Sequence, residues 1–475
     1  MLGTSSVAVT NTLLLAAEEP SSLMAARWQM ALSLGWHIVL ACFGVAFPAM
    51  IWVVHRRAIR DQDDVALGLA KRWSKVAAVL FAIGAVSGTI LSFEMGLLWP
   101  ELMRTYGDVL GLPFALEGLA FFIEAIFIGI YLYGWGRLPA RLHLRLLIPI
   151  ALAGVVGTFC VIAVNAWMNH PAGFRLVDGE VVDVDPWGAM FNDAVWVMFL
   201  HMWIATVMVT GFVTAAVYAV GILRGRDDRH HRLGFAVPFA FAAVAALAQP
   251  VVGHLAGARL HEAQPTKLAA MDLAVDTRAR APLVVGGVLL DGEVRYGIEI
   301  PVLGSLIARG SPDRAVTGLD SFPEADRPRD GLATMVHWSF QGMVGIGLTL
   351  AALGVVWMLG SRRGRDPLGS RWFLRSAVLA GPLAVAALEL GWVTTEVGRQ
   401  PWVVYRLMRV EDAVTRGSGV WVSLVVLIVV YAGMTAGAVV TLRSMSRRWR
   451  AGEPLELPTP YSPPGRRPPP PSTVA

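Results

Sequence analysis

Nine stretches of mostly apolar residues alternate with shorter polar segments along this chain. They lie near 29–54, 76–98, 112–134, 146–168, 190–222, 233–256, 332–360, 374–397 and 419–442. About 20 apolar residues cross the hydrocarbon core of a bilayer as a helix, so the pattern predicts nine transmembrane helices. The polar segments alternate in charge. HRRAIRDQDDVALGLAKRWSK, WGRLPARLHLR, LRGRDDRHHR and SRRGRDPLGSRWFLR are basic, as is LRSMSRRWR after the last span, whereas NHPAGFRLVDGEVVDVDPW is acidic. Basic loops stay cytoplasmic, which predicts an outside N-terminus and a cytoplasmic C-terminus, as an odd span count requires. The eighth loop, GRQPWVVYRLMRVEDAVTRG, runs against this rule, with four arginines on the outside.

The fold class is therefore an all-α integral membrane protein, with one long extracytoplasmic loop between helices 6 and 7. Within that loop, APLVVGGVLLDGEVRYGIEIP places two apolar runs around Asp-Gly, the pattern of a β-hairpin. The chain divides into an extracytoplasmic N-terminal segment (1–23), helices 1–6 (24–256), the loop (257–331), helices 7–9 (332–445) and a cytoplasmic tail (446–475). The tail is proline-rich without apolar periodicity, and disorder is expected there. The second polar segment, LWPELMRTYGDVLG, reads as a loop. No internal repeat is visible, which weakens an inverted-repeat transporter.

Composition narrows the class further. The chain is 55% hydrophobic and 16% charged, with a mean hydropathy of +0.56, which excludes a soluble domain. Cys42 and Cys160 both lie in apolar runs, which excludes a disulfide framework and a cysteine-rich metal cluster. The net charge of +5 comes from arginines in short loops and implies no nucleic acid partner. The N-terminal VAVTNTLLLAA lacks a basic n-region and is not read as a signal peptide.

Ionisable side chains inside the spans are the exceptions to this pattern. His37, Glu117, Glu124, His201 and Glu389 all fall within apolar runs. Each costs at least a few kcal/mol in hydrocarbon and so marks a site. From the expected span starts, His201 and Met343 both lie about 16 Å deep, at 1.5 Å per residue. A His and a Met at one depth on two helices can ligate a haem iron axially. His37 and Glu389 lie about 12 Å deep. Taken singly, a buried histidine is more often a hydrogen-bonded core residue, and a methionine a gap-filler. Their coincidence in depth lifts the set. His170, His254 and His337 read as interfacial, and His55, His143, His230 and His231 as loop residues. From the residues alone, a haem-b membrane electron carrier and a proton-coupled transporter also stay open.

Several motifs go further. RWQMALS with GWH, GLPFALEGLAFFIEA, VNAWMNHP, FLHMWIATVMVTG, QPTKLAAMD, FQGMVG and ELGWVTTEVGRQPW occur in this order. From about residue 24 to 445 the chain resembles subunit I of the cytochrome bd-type quinol oxidases. The resemblance implies a haem subunit of a bacterial inner-membrane terminal oxidase that oxidises ubiquinol or menaquinol at the outer face. Dioxygen is reduced to water with cytoplasmic protons. It implies two haems b and one haem d, or three haems b. It also implies a second transmembrane subunit, with small single-helix subunits as further partners.

By the same resemblance, His201 and Met343 ligate the low-spin haem, and His37 and Glu389 the two high-spin haems. Glu117 sits at the oxygen-reducing haem, and Glu124 and Asn165 line the proton route. Lys267 and Asp272 serve quinol oxidation. Arg399, Gln400, Pro401 and Trp402 form a turn near the haems. Four departures point to a divergent branch. Asp272 stands where Glu is usual, Gln341 where better-known members carry Arg, and Val385 where Trp is frequent. The Glu117–Glu124 spacing is one residue shorter.

Overall fold

The computed structural model describes residues 22–452. Nine helices among them are long and apolar enough to cross a membrane. They are α1 Leu23–Asp61, α2 Asp64–Leu98, α3 Pro100–Tyr133, α4 Leu147–Asn169, α5 Val195–Leu223, α6 Arg229–Ala263, α7 Asp330–Arg362, α8 Arg371–Val397 and α9 Val420–Arg450. The predicted span count and class hold. Most of the N-terminal segment and of the proline-rich tail lie outside the described residues.

The helices outrun their apolar cores. Nearly all of the first polar segment is helical, and only Gln62 and Asp63 separate α1 from α2. Asp63 caps α2, accepting from Val65 and Ala66 N at 3.1 Å, and pairs with Arg57 at 3.0 Å and Arg229 at 2.6 Å. The expected loop LWPELMRTYGDVLG is helix from Pro100 onward, with proline in the first turn, where its missing N–H costs nothing. Amphiphilic residues can extend a helix into water, so apolar length understates helix length.

Packing runs α5 to α6, α6 to α7, α7 to α8 and α8 back to α5. These four form a ring in which α5 and α7 occupy opposite corners. Small residues let the backbones approach: a Cβ on Gly211 would lie 2.6 Å from Pro238 O, and one on Gly354 3.1 Å from Ala243 Cβ. The core between them holds Phe212, Phe235 and Phe239, each fully buried. α1 packs on α2, α4, α5 and α9.

Three small antiparallel pairs occupy the loops: β1 Arg175–Val177 with β2 Glu180–Val182, β3 Leu283–Leu290 with β4 Glu293–Ile300, and β5 Trp402–Val404 with β6 Met408–Arg409. The β3–β4 hairpin turns at Asp291–Gly292, both left-handed (φ 53 and 75), as its sequence predicts. The edge of β3 away from β4 is not left bare. Side chains from successive turns of α7 take the place of a third strand. Asp330 Oδ2 accepts from Gly292 N at 3.0 Å and Thr334 Oγ1 from Leu289 N at 2.9 Å. Trp338 Nε1 donates to Gly287 O at 2.9 Å. Gln341 accepts from Gly286 N at 2.9 Å and donates to Val284 O at 2.6 Å. A strand edge covered in this way offers no template for further pairing.

Candidate active site

Beneath the hairpin runs a buried polar chain. It starts on the short helix Pro265–Asp272, where Lys267 is 5% exposed. Lys267 Nζ donates to Asn169 Oδ1 at 2.7 Å, and Gln264 Nε2 donates to the same oxygen at 2.9 Å. Asn169 Nδ2 donates to Asn165 Oδ1 at 3.1 Å, and Asn165 Nδ2 to Glu396 Oε1 at 2.5 Å. Arg399 Nη2 closes the chain on Glu396 Oε2 at 2.6 Å. Burial, with Arg399 close by and Glu396 opposing, lowers the Lys267 ammonium to about 7. Burial raises the Asp272 carboxyl, one turn and a half further along the same short helix, to about 7. Both groups on this short helix therefore exchange protons near neutrality, as handling of substrate protons requires.

The turn after α8 forms the floor of this region. Arg27 Nη2 of α1 donates to Gln400 Oε1 at 2.9 Å, and Pro401 O accepts from Val410 N at 3.0 Å. The Arg409 guanidinium covers the Trp402 ring at 4.6 Å. Arg399 is 5% exposed, yet its Nε and Nη1 have no hydrogen-bond partner among the described residues.

The four residues read as ligands share one feature: each faces a glycine on a neighbouring helix. A Cβ on Gly35 would meet Glu389 Oε2 at 3.1 Å, and one on Gly88 would meet His37 Cε1 at 3.0 Å. A Cβ on Gly253 would meet His201 Cε1 at 3.3 Å, and one on Gly391 would meet Met343 Sδ at 3.0 Å. His37 Nδ1 lies 2.8 Å from Ser87 Oγ, which fixes the ring and leaves Nε2 outward. Gln249 Nε2 donates to His201 O at 3.2 Å and lies over the ring. Glu389 Oε1 is buried without a hydrogen-bond partner among the described residues. Gly35 and His37 lie two residues apart on α1, as do Glu389 and Gly391 on α8, a spacing that turns each pair to opposite sides of its helix: Glu389 faces α1 and Gly391 faces α7, while His37 faces α2 and His201 faces α6.

Depth counted from helix starts does not carry the His201–Met343 match. His201 lies six residues into α5 and Met343 thirteen into α7. The first three turns of α7 stand against the hairpin as far as Gln341, so Met343 lies within one turn of the loop-side surface. What opposes the two residues is the ring of helices, with α5 and α7 at opposite corners. This arrangement fits a porphyrin held by His and Met from opposite sides. Among the described residues no group of three or more His, Cys, Asp or Glu is arranged for a bare metal ion, so protein side chains alone form no such centre.

The structure separates Glu124 from Asn165. Glu124 is 8% exposed and faces α1, where a Cβ on Gly44 would meet its Oε1 at 3.3 Å, and that oxygen has no partner. It stands nine residues from the end of α3 opposite the hairpin. Asn165 belongs instead to the loop-side chain with Glu396. Glu117 is half-buried on α3, toward Cys160.

Residues that sequence reasoning passed over complete the picture. Asn169, Gln264 and Glu396 link Lys267 to Arg399. Glu94, 4% exposed in α2, accepts from Gln29 Nε2 at 2.9 Å. A carboxylate in the apolar run TILSFEMGLLW was the available signal. Histidine assignments also change, and His230 and His231, read as loop residues, lie in the first turn of α6. His337 is no interfacial residue: it is wholly buried, with Nδ1 2.8 Å from Met271 O and Nε2 2.9 Å from Gly286 O. His55 and His143 are no loop residues: both are buried, because α1 extends past His55 and a short helix, Ala140–Arg145, folds His143 inward.

Residues 25–449 match the profile of cytochrome bd terminal oxidase subunit I. The chain belongs to this family. A Bacillus subtilis (strain 168) protein provisionally named as cytochrome bd menaquinol oxidase subunit I is 34% identical over 442 residues, 91% of this chain and 98% of its own. Cytochrome bd-II ubiquinol oxidase subunit 1 of Escherichia coli (strain K12) is 26% identical, again over 91% of this chain and 98% of its own. The bd oxidase structure from Geobacillus thermodenitrificans superposes with a TM-score of 0.85 at 37% identity, covering 90% of this chain and 99% of that one. This bd oxidase subunit I is a multi-pass membrane protein of a bacterial terminal quinol oxidase. The family membership implies haem and a quinol substrate.

Proposed function

We propose that the chain carries three haems near its hairpin face, oxidises quinol there, and reduces dioxygen to water with protons from the opposite face. The seating of His37, His201, Met343 and Glu389, each against a glycine of a neighbouring helix, carries this reading. His201 and Met343 would hold the low-spin haem from opposite corners of the helix ring. His37 and Glu389 would hold the two high-spin haems, and the unpartnered Glu389 Oε1 fits a ligand oxygen. The idle Nε and Nη1 of Arg399 suit an anionic group such as a haem carboxylate. When bound, haem supplies electron transfer and, at an iron with an open axial position, oxygen chemistry.

The chain's own residues handle quinol and protons. Quinol binds under the hairpin, between Lys267 and Asp272. Asp272 accepts a hydroxyl proton, and Lys267 donates to the other quinol oxygen or to Asn169. The polar chain through Asn169, Asn165 and Glu396 holds Lys267 in place. Glu124 and Glu117, two turns apart on one face of α3, take consumed protons toward the oxygen site. The hairpin side then lies outside and the basic side in the cytoplasm, so charge separates without a conformational pump. A second membrane subunit, with small single-helix subunits, completes the complex.

A reduced-minus-oxidised spectrum of the purified complex, taken with and without carbon monoxide, tests the proposal. Low-spin haem together with CO-binding high-spin haem is expected. Colourless protein, or low-spin haem alone, overturns it.

A further inference from the structure

We infer that His55 and Tyr131 form the proton entry to Glu124 from the face opposite the hairpin. The inference rests on the reading of Glu124 as a proton-carrying group. A source of protons on that face has to cross the ends of α1 and α3 to reach it.

The observed contacts supply that crossing. Tyr131, two turns beyond Glu124 on α3, points to the same face of the helix. Its hydroxyl lies 3.0 Å from His55 Nδ1 of α1. His55 Nε2 has no protein partner among the described residues. His143 stacks on the Tyr131 ring at 4.4 Å, and its Nε2 donates to Tyr131 O at 2.7 Å. That bond commits the His143 proton to a carbonyl, so His143 is a positioning residue that holds the ring. Between Tyr131 and Glu124 lies a cavity of about 20 Å³, lined by both residues and by Ser74. Ser74 Oγ donates to Lys71 O at 3.0 Å and keeps lone pairs for a water. The space suits water, and Glu124 Oε1, without a partner among the described residues, supplies one hydrogen bond to it.

Core packing accounts for the stacked rings. It does not account for a void, otherwise apolar, that Tyr131, Ser74 and a buried carboxylate oxygen all line. In the relay, His55 takes a proton at Nε2 and gives its Nδ1 proton to the Tyr131 hydroxyl. Tyr131 passes its own proton to the cavity water, and the water passes one to Glu124. His55, Tyr131 and the water end in their starting charges, Glu124 carries the added proton, and the His55 tautomer is restored by ring exchange with water.

The test uses the purified, liposome-reconstituted complex at saturating quinol. Tyr131→Phe keeps the stack and removes only the hydroxyl, and His55→Phe keeps the ring shape. Both are expected to slow oxygen consumption about tenfold or more. They should also raise the solvent deuterium isotope effect, with quinol KM and haem spectra unchanged. Added imidazole should restore part of the His55→Phe rate. Should His55→Phe lose haem, Tyr131→Phe decides alone. A Tyr131→Phe enzyme with wild-type turnover and isotope effect overturns the relay. Wild-type complex without CO-binding haem would overturn the functional reading itself, a separate result.

Discussion

Adding one methyl group at Gly391 should break the low-spin haem site while leaving the bundle intact. An alanine Cβ there would stand 3.0 Å from Met343 Sδ. Optimal non-bonded contact lies at about 3.5–4.0 Å, so the sulfur must retreat by roughly 0.5–1 Å. As a packing problem this is modest. Overfilling a core costs about 1–3 kcal/mol, and a methionine side chain can swing. As an iron ligand the sulfur has no such freedom, because ligation fixes its position. Gly391→Ala should therefore lose the low-spin signal in the reduced spectrum and gain a CO-reactive one, with total haem unchanged. Gly253→Ala approaches His201 Cε1 at 3.3 Å and should show a milder shift of the same signal. Gly347→Ala, on α7 with nothing within 4 Å, is the control. If Gly391→Ala and Gly347→Ala had the same spectrum, Met343 would not be a ligand.

The other expectations concern neighbouring groups. Glu389→Ala should lose one high-spin haem and keep the low-spin haem, whereas His201→Ala should do the reverse, each read by haem content and spectrum. Quinol oxidation should have a bell-shaped pH profile centred near 7. As pH rises through about 7, Asp272 loses its proton and becomes a competent base, while Lys267 loses the charge that orients the substrate. Asp272→Asn should abolish the acid limb and Lys267→Met the alkaline one, and limbs that survived would reassign both roles. Asn169→Leu removes the side-chain acceptor of Lys267, leaving that buried donor unpaired at about 1–3 kcal/mol while Gln264 keeps the residue 169 carbonyl, and should raise quinol KM with haem unaltered. Gln341→Leu frees Gly286 N and Val284 O, and should speed hydrogen exchange and protease cleavage along β3.

The spans and the hairpin were legible because each rests on local pattern: long apolar runs, and Asp-Gly between apolar strands. The candidate ligands His37, His201 and Glu389 stand out in the sequence because ionisable residues in hydrocarbon contrast with their neighbours, whereas Met343 does not. What was not legible depends on packing between distant segments. Asn169 ends α4, Gln264 precedes the short loop helix and Glu396 ends α8. Polar residues at helix ends are ordinary, and only the fold joins these three. His55 and His143 looked like loop residues because the apolar run stops before the helix does. Asn165 looked like a companion of Glu124 only through family resemblance, and chain direction puts it at the other end of the bundle.

The way α7 grips β3 has an evolutionary consequence. Its bonds to the strand reach amides and carbonyls, which every residue type supplies, so recognition is blind to the strand's own side chains. Tyr296 and Ile298 on β4 point outward, 89% and 69% exposed, and owe nothing to this clasp. The selective burden falls on Asp330, Thr334 and Trp338, while the ribbon they hold can drift. Homologues should therefore tolerate heavy substitution in the strands and little in the clasping helix, the opposite of the usual contrast between a variable membrane helix and a functional loop.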